Sequence, residues 1–171
     1  MKLLVFSDSH KNLTYMERVF DKIGRGMDAV VHLGDHYSDG EQLRARFEIE
    51  RFYGVSGNCD YAPSAPAEDF FEFGGLKIFI THGHRYNVKS DEQRLCYAAA
   101  ERGADVALFG HTHRAAVFRE GGVLFMNPGS VSRGRDGANP SYGVVTVEGA
   151  KAEGAVIAIK DLQFVHNMLK Y

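Results

Sequence analysis

Cysteine is scarce in this chain: Cys59 and Cys96 are the two thiols in 171 residues. So few, at no framework spacing, exclude a disulfide-stapled scaffold, and they argue against a thiolate-rich structural zinc site. Long apolar runs are missing too. None approaches the ~20 residues of a membrane helix. The opening MKLLVFSDSHK reaches Asp8 after too short an apolar run for a secretory leader. Neither sign of charge dominates: 20 Lys and Arg stand against 22 Asp and Glu, a net charge of −2. That removes any general attraction to nucleic acid or to an anionic membrane, though a local basic patch stays open. No repeat, low-complexity tract or linker interrupts the chain. Hydrophobic content of 44% and charged content of 25% suit an ordinary globular core. The expectation is therefore a cytoplasmic protein with reduced thiols, folded as one domain over 1–171.

What is present alternates. KLLVF (2–6) reads as a buried strand. LTYMERVFDKIG (13–24) carries its apolar residues at helical spacing, with Asn12 as a candidate cap and Gly24 as its stop. DAVVHLGD (28–35) reads as a strand, GEQLRARFEIE (40–50) as a charged helix, and RFYGVSGN (51–58) contains another strand. DFFEFGGLKIFITHG (69–83) reads as a hairpin around Gly74-Gly75. SDEQRLCYAAAERG (90–103) is a helix, with Ser90 as N-cap, Gln93 completing a capping box and Gly103 as stop. ADVALFG (104–110) is a strand, and AAVFRE, GGVLFMN, YGVVTVEG and GAVIAIK make the last third strand-rich. APSAPAE (62–68) and SRGRDGANPS (132–141) read as loops. The fold class that follows is α/β with parallel and antiparallel portions, as two mixed β-sheets packed together and flanked by helices.

Five apolar runs end on residues that bind metals. LLVFS runs into Asp8-Ser9-His10, AVVHL into Gly34-Asp35-His36, and FYGVS into Gly57-Asn58-Cys59-Asp60. KIFIT runs into His82-Gly83-His84, and VALF into Gly110-His111-Thr112-His113. Ligands of open α/β sheets bind beyond the carboxyl ends of the strands, where residues distant in sequence converge. Any one of these residues has an ordinary reading as a cap, a turn residue or a hydrogen-bonded histidine. Yet six of the eight histidines fall in these clusters. Carboxylates, imidazoles and an amide oxygen together form a mixed O/N donor set suited to Mn²⁺, Fe²⁺, Zn²⁺, Ni²⁺ or Co²⁺. His32 and His166 fall outside the clusters and read as structural or surface groups. His36 and His84 sit beside the ligands and are candidates to line the site.

Taken in order, D-x-H, G-D, G-N-x-D, G-H and G-H-x-H resemble the signature of the calcineurin-like metallophosphoesterases. The short length, the GNCD variant and NPGS at 127–130 resemble the family's small single-domain branch, the YfcE-type phosphodiesterases. The resemblance spans the chain. It implies a β-sandwich flanked by helices and two divalent ions, Mn²⁺ foremost. It assigns Asp8, His10, Asp35 and His113 to one ion and Asp35, Asn58, His82 and His111 to the other, with Asp35 bridging. It also implies in-line attack at phosphorus by a metal-bridging hydroxide, with a small phosphate ester as substrate. A diester is favoured over a monoester.

Cys59 departs from the commonest pattern, which has histidine there to meet phosphate or protonate the leaving group. A thiol has a pKa near ~8.5, against ~6.5 for imidazole, and donates a poor hydrogen bond. Either Cys59 limits the enzyme to good leaving groups, with help from His36 or His84, or it only fills the wall. Asn58, Cys59, Asp60 and His82 are thus the candidate catalytic residues, Asp60 by orienting a neighbour. Ser130 and Arg133, in a loop that borders the site in this branch, are candidate substrate contacts. A retromer-subunit-like branch of the same fold serves as a protein-interaction scaffold and is the rival reading. A nucleotide-binding module is set aside, since SDSHKN after the first strand lacks G-x-G-x-x-G. The Val156-Ile157 region reads equally as core or as a homodimer contact.

Overall fold

Strand β1 (Lys2–Phe6) shows how the chain divides its core. Successive side chains of a strand point to opposite faces. Leu3 and Val5 enter one apolar cluster, and Leu4 and Phe6 enter another on the far side. All four are fully buried, so β1 lies at the centre of a sheet covered on both faces. A computed structural model describes residues 1–61 and 64–159. After β1 come α1 (Leu13–Ile23), β2 (Ala29–His32), α2 (Tyr37–Phe47), β3 (Phe52–Gly54), β4 (Glu68–Phe73) and β5 (Leu76–Thr81). Then follow α3 (Gln93–Glu101), β6 (Val106–Leu108), β7 (Ala115–Glu120), β8 (Val123–Pro128), β9 (Ser141–Glu148) and β10 (Lys151–Ala158).

The strands form two five-stranded sheets, ordered β10-β9-β1-β2-β3 and β4-β5-β6-β8-β7. In the first, β1, β2 and β3 run parallel, and β9 and β10 are antiparallel additions. In the second, β5, β6 and β8 run parallel between antiparallel β4 and β7. Parallel and antiparallel pairing therefore coexist within each sheet, and β8, from the strand-rich last third, joins the parallel set.

Between the sheets Leu3, Val5, Val31, Leu33 and Val55 meet Ile78, Ile80, Val106, Leu108 and Met126. Met16, Val19 and Leu43 of α1 and α2 cover the outer face of the first sheet, and Leu95 and Ala99 of α3 cover the second. Burying each such side chain is worth about 1.5–3 kcal/mol, so this four-layer packing holds the strand ends in place. Val156 packs against the inter-sheet core, the core reading of that region. His166 lies outside the described residues, as do positions 62 and 63 of the loop expected at 62–68.

Boundaries differ from expectation where caps decide them. Asn12 makes no side-chain cap bond, and at Gly24 the helix tightens into a 3-10 turn (Gly24–Gly26) instead of stopping. A Cβ at Gly24 would meet the Phe20 ring, so packing explains that glycine. Helix α2 begins at Tyr37, three residues early, because the Tyr37 N–H donates to Asp60 Oδ1 at 2.8 Å and gives the helix its first anchor from another loop. Ser90 does not cap α3. The helix begins at Gln93, whose N–H donates to Asp91 Oδ1 at 3.0 Å. The hairpin is as expected, with Gly74 and Gly75 at φ 61° and 83°, as a two-residue turn of this hand demands.

Candidate metal centre

The residues after β1, β2, β5 and β6 must leave their strands abruptly to face one point. They do so through the left-handed region of backbone space. Asp8, His10, Asp35, His111 and His113 have φ of 54°, 47°, 55°, 69° and 57°. Asp and His tolerate this region better than most side chains, yet each such residue still costs about 1–3 kcal/mol. The strain collects at the site, where the surrounding packing imposes it. Two glycines allow the close approach. A Cβ at Gly57 would fall on Asp35 Oδ1 and the Asp35 backbone, and one at Gly110 would fall on Ser7 Oγ.

Two groups of donors result. One atom each from Asp8, His10, Asp35 and His113 lie within 4.8 Å of one another, and so do one each from Asp35, His82 and His111. Bonds of ~2.0–2.2 Å from an ion to N and O ligands span a cluster only slightly tighter than this. In the first group His113 Nε2 is 3.1 Å from Asp8 Oδ1, and His10 Nε2 is 3.8 Å from Asp35 Oδ2. In the second, His82 Nε2 is 3.3 Å from Asp35 Oδ1. The two oxygens of Asp35 thus face different groups. Asn58, whose Oδ1 would be the ligand atom, is exposed, and its amide nitrogen donates to Cys59 Sγ at 3.4 Å.

Neighbours fix the imidazoles. His82 Nδ1 donates to Leu33 O at 2.7 Å and His113 Nδ1 to Arg133 O at 3.1 Å, which leaves each Nε2 lone pair facing the centre. Asp8 Oδ1 and His82 Nε2 are buried without a hydrogen-bond partner among the described residues. Orphaned buried donors and acceptors are rare in folded proteins. Two of them, one in each donor group, fit divalent cations.

The charges agree. Burial works to raise the Asp8 carboxyl, but the adjacent His113 and the charge of His82 outweigh it and hold it below its usual range. Burial likewise opposes ionisation of Asp35, and His82 with the Cys59 N–H brings it well below normal. The Asp8 carboxylate beside it raises His113. His82 also ends raised: burial opposes its charge, but Asp35 and Asp8 prevail. Burial, then the charges of His82 and Lys89, lowers His111 to about 4. Two anions surrounded by imidazoles are what an incoming cation would find.

The remaining expected residues lie nearby in differing roles. His84 stands beside the second group, its ring 5.4 Å from His82 and 6.0 Å from His111. His36 stands 5.7 Å from His10. Asp60 spends both oxygens on backbone, accepting from Tyr37 N and Gly57 N, and so holds the 57–60 turn against α2. Cys59 donates its N–H to Asp35 Oδ1 at 2.9 Å, while burial and then Asp35 push its thiol up to about 11. Ser130 is fully buried, and its hydroxyl donates to Asp8 O at 2.8 Å. That burial removes it from the substrate contacts and makes it a brace. Arg133 is exposed and contributes its carbonyl to His113.

Sequence reasoning missed a layer beneath these ligands. His32 is fully buried and accepts from Gly34 N at 3.2 Å through Nδ1, so its Nε2 carries the proton. That proton faces Ser9 Oγ at 3.1 Å, and Ser9 donates to Asp39 Oδ2 at 2.7 Å. Asp39 also accepts from Lys11 N at 2.9 Å. The chain locks the β1 and β2 ends to α2. The period-two alternation that separates Ser7 and Ser9 from Asp8 and His10 was the available signal for Ser9. Asp39 had none.

Comparison with known proteins agrees with this geometry. Residues 1–150 match the Calcineurin-like phosphoesterase superfamily domain. The chain is 35% identical over 168 residues to the probable metallophosphoesterase YsnB of Bacillus subtilis strain 168, covering 95% of this chain and 97% of that one. It is 28% identical to the phosphodiesterase YfcE of Escherichia coli K12, covering 85% and 87%. The crystal structure of a predicted phosphoesterase from Streptococcus pneumoniae TIGR4 has a TM-score of 0.79 at 32% identity, covering 92% and 88%. Vps29 from Entamoeba histolytica, crystallised with Zn²⁺, has a TM-score of 0.75 at 20% identity over 94% and 100%, a likeness of fold alone. From its strand-end ligands to its two mixed sheets, this chain belongs to the calcineurin-like phosphoesterase superfamily.

Proposed function

We propose that this protein is a phosphodiesterase acting through two divalent ions, with Mn²⁺ first among Ni²⁺, Fe²⁺, Co²⁺ and Zn²⁺. The observation that carries the reading is Asp35, whose Oδ2 turns toward His10 and whose Oδ1 turns toward His82. One buried carboxylate serving two donor groups is what a bridged pair of ions requires. Asp8, His10, Asp35 and His113 would hold one ion, and Asp35, His82, His111 and Asn58 the other. When bound, the ions supply an acidified water and the positive charge that an in-line displacement at phosphorus needs.

The chain's own residues do the rest. Leu33 O and Arg133 O keep His82 and His113 in the tautomer whose Nε2 can bind. The Cys59 thiol, with its pKa near 11, stays protonated at neutral pH and does not attack. His84 and His36 are the groups placed to donate a proton to a phosphoryl oxygen or leaving alcohol. All seven ligands come from one chain, so a homodimer is not needed for activity. The whole chain, 1–171, acts as one catalytic domain. No described helix is long and apolar enough to cross a membrane, and a cytoplasmic location follows from the sparse, unpaired thiols.

A diester substrate is favoured because a relative over most of the chain is named a phosphodiesterase and because, among the described residues, no long insertion forms a lid. The scaffold reading draws on the Vps29 likeness. Hydrolysis of bis-p-nitrophenyl phosphate and p-nitrophenyl phosphate by metal-stripped protein, with each ion added back, separates the two. Metal-dependent turnover, faster on the diester, is expected. Metal uptake without turnover on either ester favours the scaffold.

A further inference from the structure

Beyond the ligands, His113 forms one wall of a basic cleft. A cavity of about 690 Å³ is lined by His113 and by residues 132–140, among them Arg133 and Arg135. A second, of about 480 Å³, shares Arg135 and Asp136 with the first and adds Lys89, Arg114 and Glu92. Together they bring four cationic side chains against two acidic ones.

The loop bearing these arginines is fastened to the metal centre. His113 Nδ1 donates to Arg133 O at 3.1 Å, and Arg135 N donates to His113 O at 3.3 Å. Arg114, next to His113, donates twice to Asp136 Oδ2, at 3.2 and 2.6 Å. That pairing occupies Asp136. Among the described residues no carboxylate pairs with Arg133, Arg135 or Lys89. The backbone of Arg133 and Arg135 is held beside the donor groups while their side chains stay exposed, and planar guanidinium donors suit phosphate oxygens.

We propose that this cleft is a second phosphate subsite, with Arg135 and Lys89 receiving a phosphate group that the substrate carries in addition to the ester at the metal centre. The statement rests on the phosphodiesterase reading and narrows its substrate class to esters of phosphorylated alcohols, such as a nucleotide bearing a further phosphate. A phosphate at each end matches the layout: anionic ligands awaiting metal on one side of His113, free cations on the other.

Calorimetric titration of the Mn²⁺-loaded chain with thymidine 3′,5′-bisphosphate and with thymidine 5′-monophosphate tests it. The bisphosphate is expected to bind at least about tenfold tighter, a difference of ~1.4 kcal/mol, and the preference should shrink as salt rises. The double variant Arg135→Ser, Lys89→Ser removes the preference. Arg25→Ser, which lines a separate cavity, keeps it. Equal affinities in the wild type, or a preference unmoved by the double variant, overturn the subsite. Hydrolysis of thymidine 3′,5′-bisphosphate esterified with p-nitrophenol on its 5′-phosphate is measured alongside. A binding preference without hydrolysis leaves the subsite standing and removes the phosphodiesterase reading.

Discussion

The two donor groups share Asp35 but are built to different degrees. Asp8, His10, Asp35 and His113 form a finished set with two carboxylates. Ser7 Oγ and the His111 N–H donate to Asp8 Oδ2, while Ser130 and Ser132 donate to Asp8 O. The second set has one carboxylate and three converged side chains. Its proposed fourth member, Asn58, is exposed, with its amide nitrogen on Cys59 Sγ. Preorganisation lowers the cost of ordering on binding, and a second carboxylate adds charge. The first group should therefore fill first. Arrangement, more than residue type, separates two neighbouring sites within one cluster.

The largest break in this comparison comes from their common member. Asp35→Asn should lose bound metal at both positions, which elemental analysis would count, and turnover should fall about 10³-fold, the ~4 kcal/mol scale of a lost electrostatic element. Retention of two tightly bound ions would mean that Asp35 does not bridge.

Next comes acid, acting on the support beneath the first group. Burial lowers His32 to about 4, against ~6.5 in an unfolded chain. Between these values the unfolded state binds more protons. The contribution is thus complete above pH 6.5 and lost as pH falls toward 4, by up to about 3 kcal/mol. Urea unfolding from pH 7 to 4.5 should show that loss, with a flatter slope in His32→Gln. An unchanged slope in the variant would assign the acid sensitivity to other groups.

A finer cut is Asn58→Ala. It should weaken the second ion roughly 10–100-fold, the scale on which outer partners of a metal site act, and leave the first ion unchanged. A titration that stays a single two-ion step in both proteins would make the two groups equivalent. The smallest effect expected is in Cys59→His, beside Asp35. It should raise turnover a few-fold on esters with poor leaving groups and leave p-nitrophenyl esters nearly unchanged. Abolished activity would reveal a role for the thiol beyond filling the wall.

Much of this was legible because the signals are local. The five clusters follow apolar runs directly, and Asp-x-His and His-x-His keep both ligands on one side of a strand end. The Gly74-Gly75 turn announces its hairpin within two residues. Sheet membership was not legible in detail, since the parallel pairing of β6 with β8 is decided by packing between segments that are separate in sequence. The helix starts were misread for a related reason: Tyr37 is anchored by Asp60 from another loop. Ser130 was a candidate substrate contact because NPGS resembles a loop that borders the site in this branch, yet the fold presses it against the Asp8 carbonyl. The His32-Ser9-Asp39 chain joins three elements, and only the alternation around Ser9 marks it in the sequence.

The glycines beneath the ligands govern how such a protein can change over time. A methyl group at Gly57 would displace Asp35, and one at Gly110 would displace Ser7. The floor of the site is therefore closed to gradual variation: a single step there removes the chemistry before any new preference can be tried. The rim at 132–140, mostly exposed, carries no such penalty. New specificities in this lineage, natural or engineered, should be written in that loop, with the strand ends inherited unaltered.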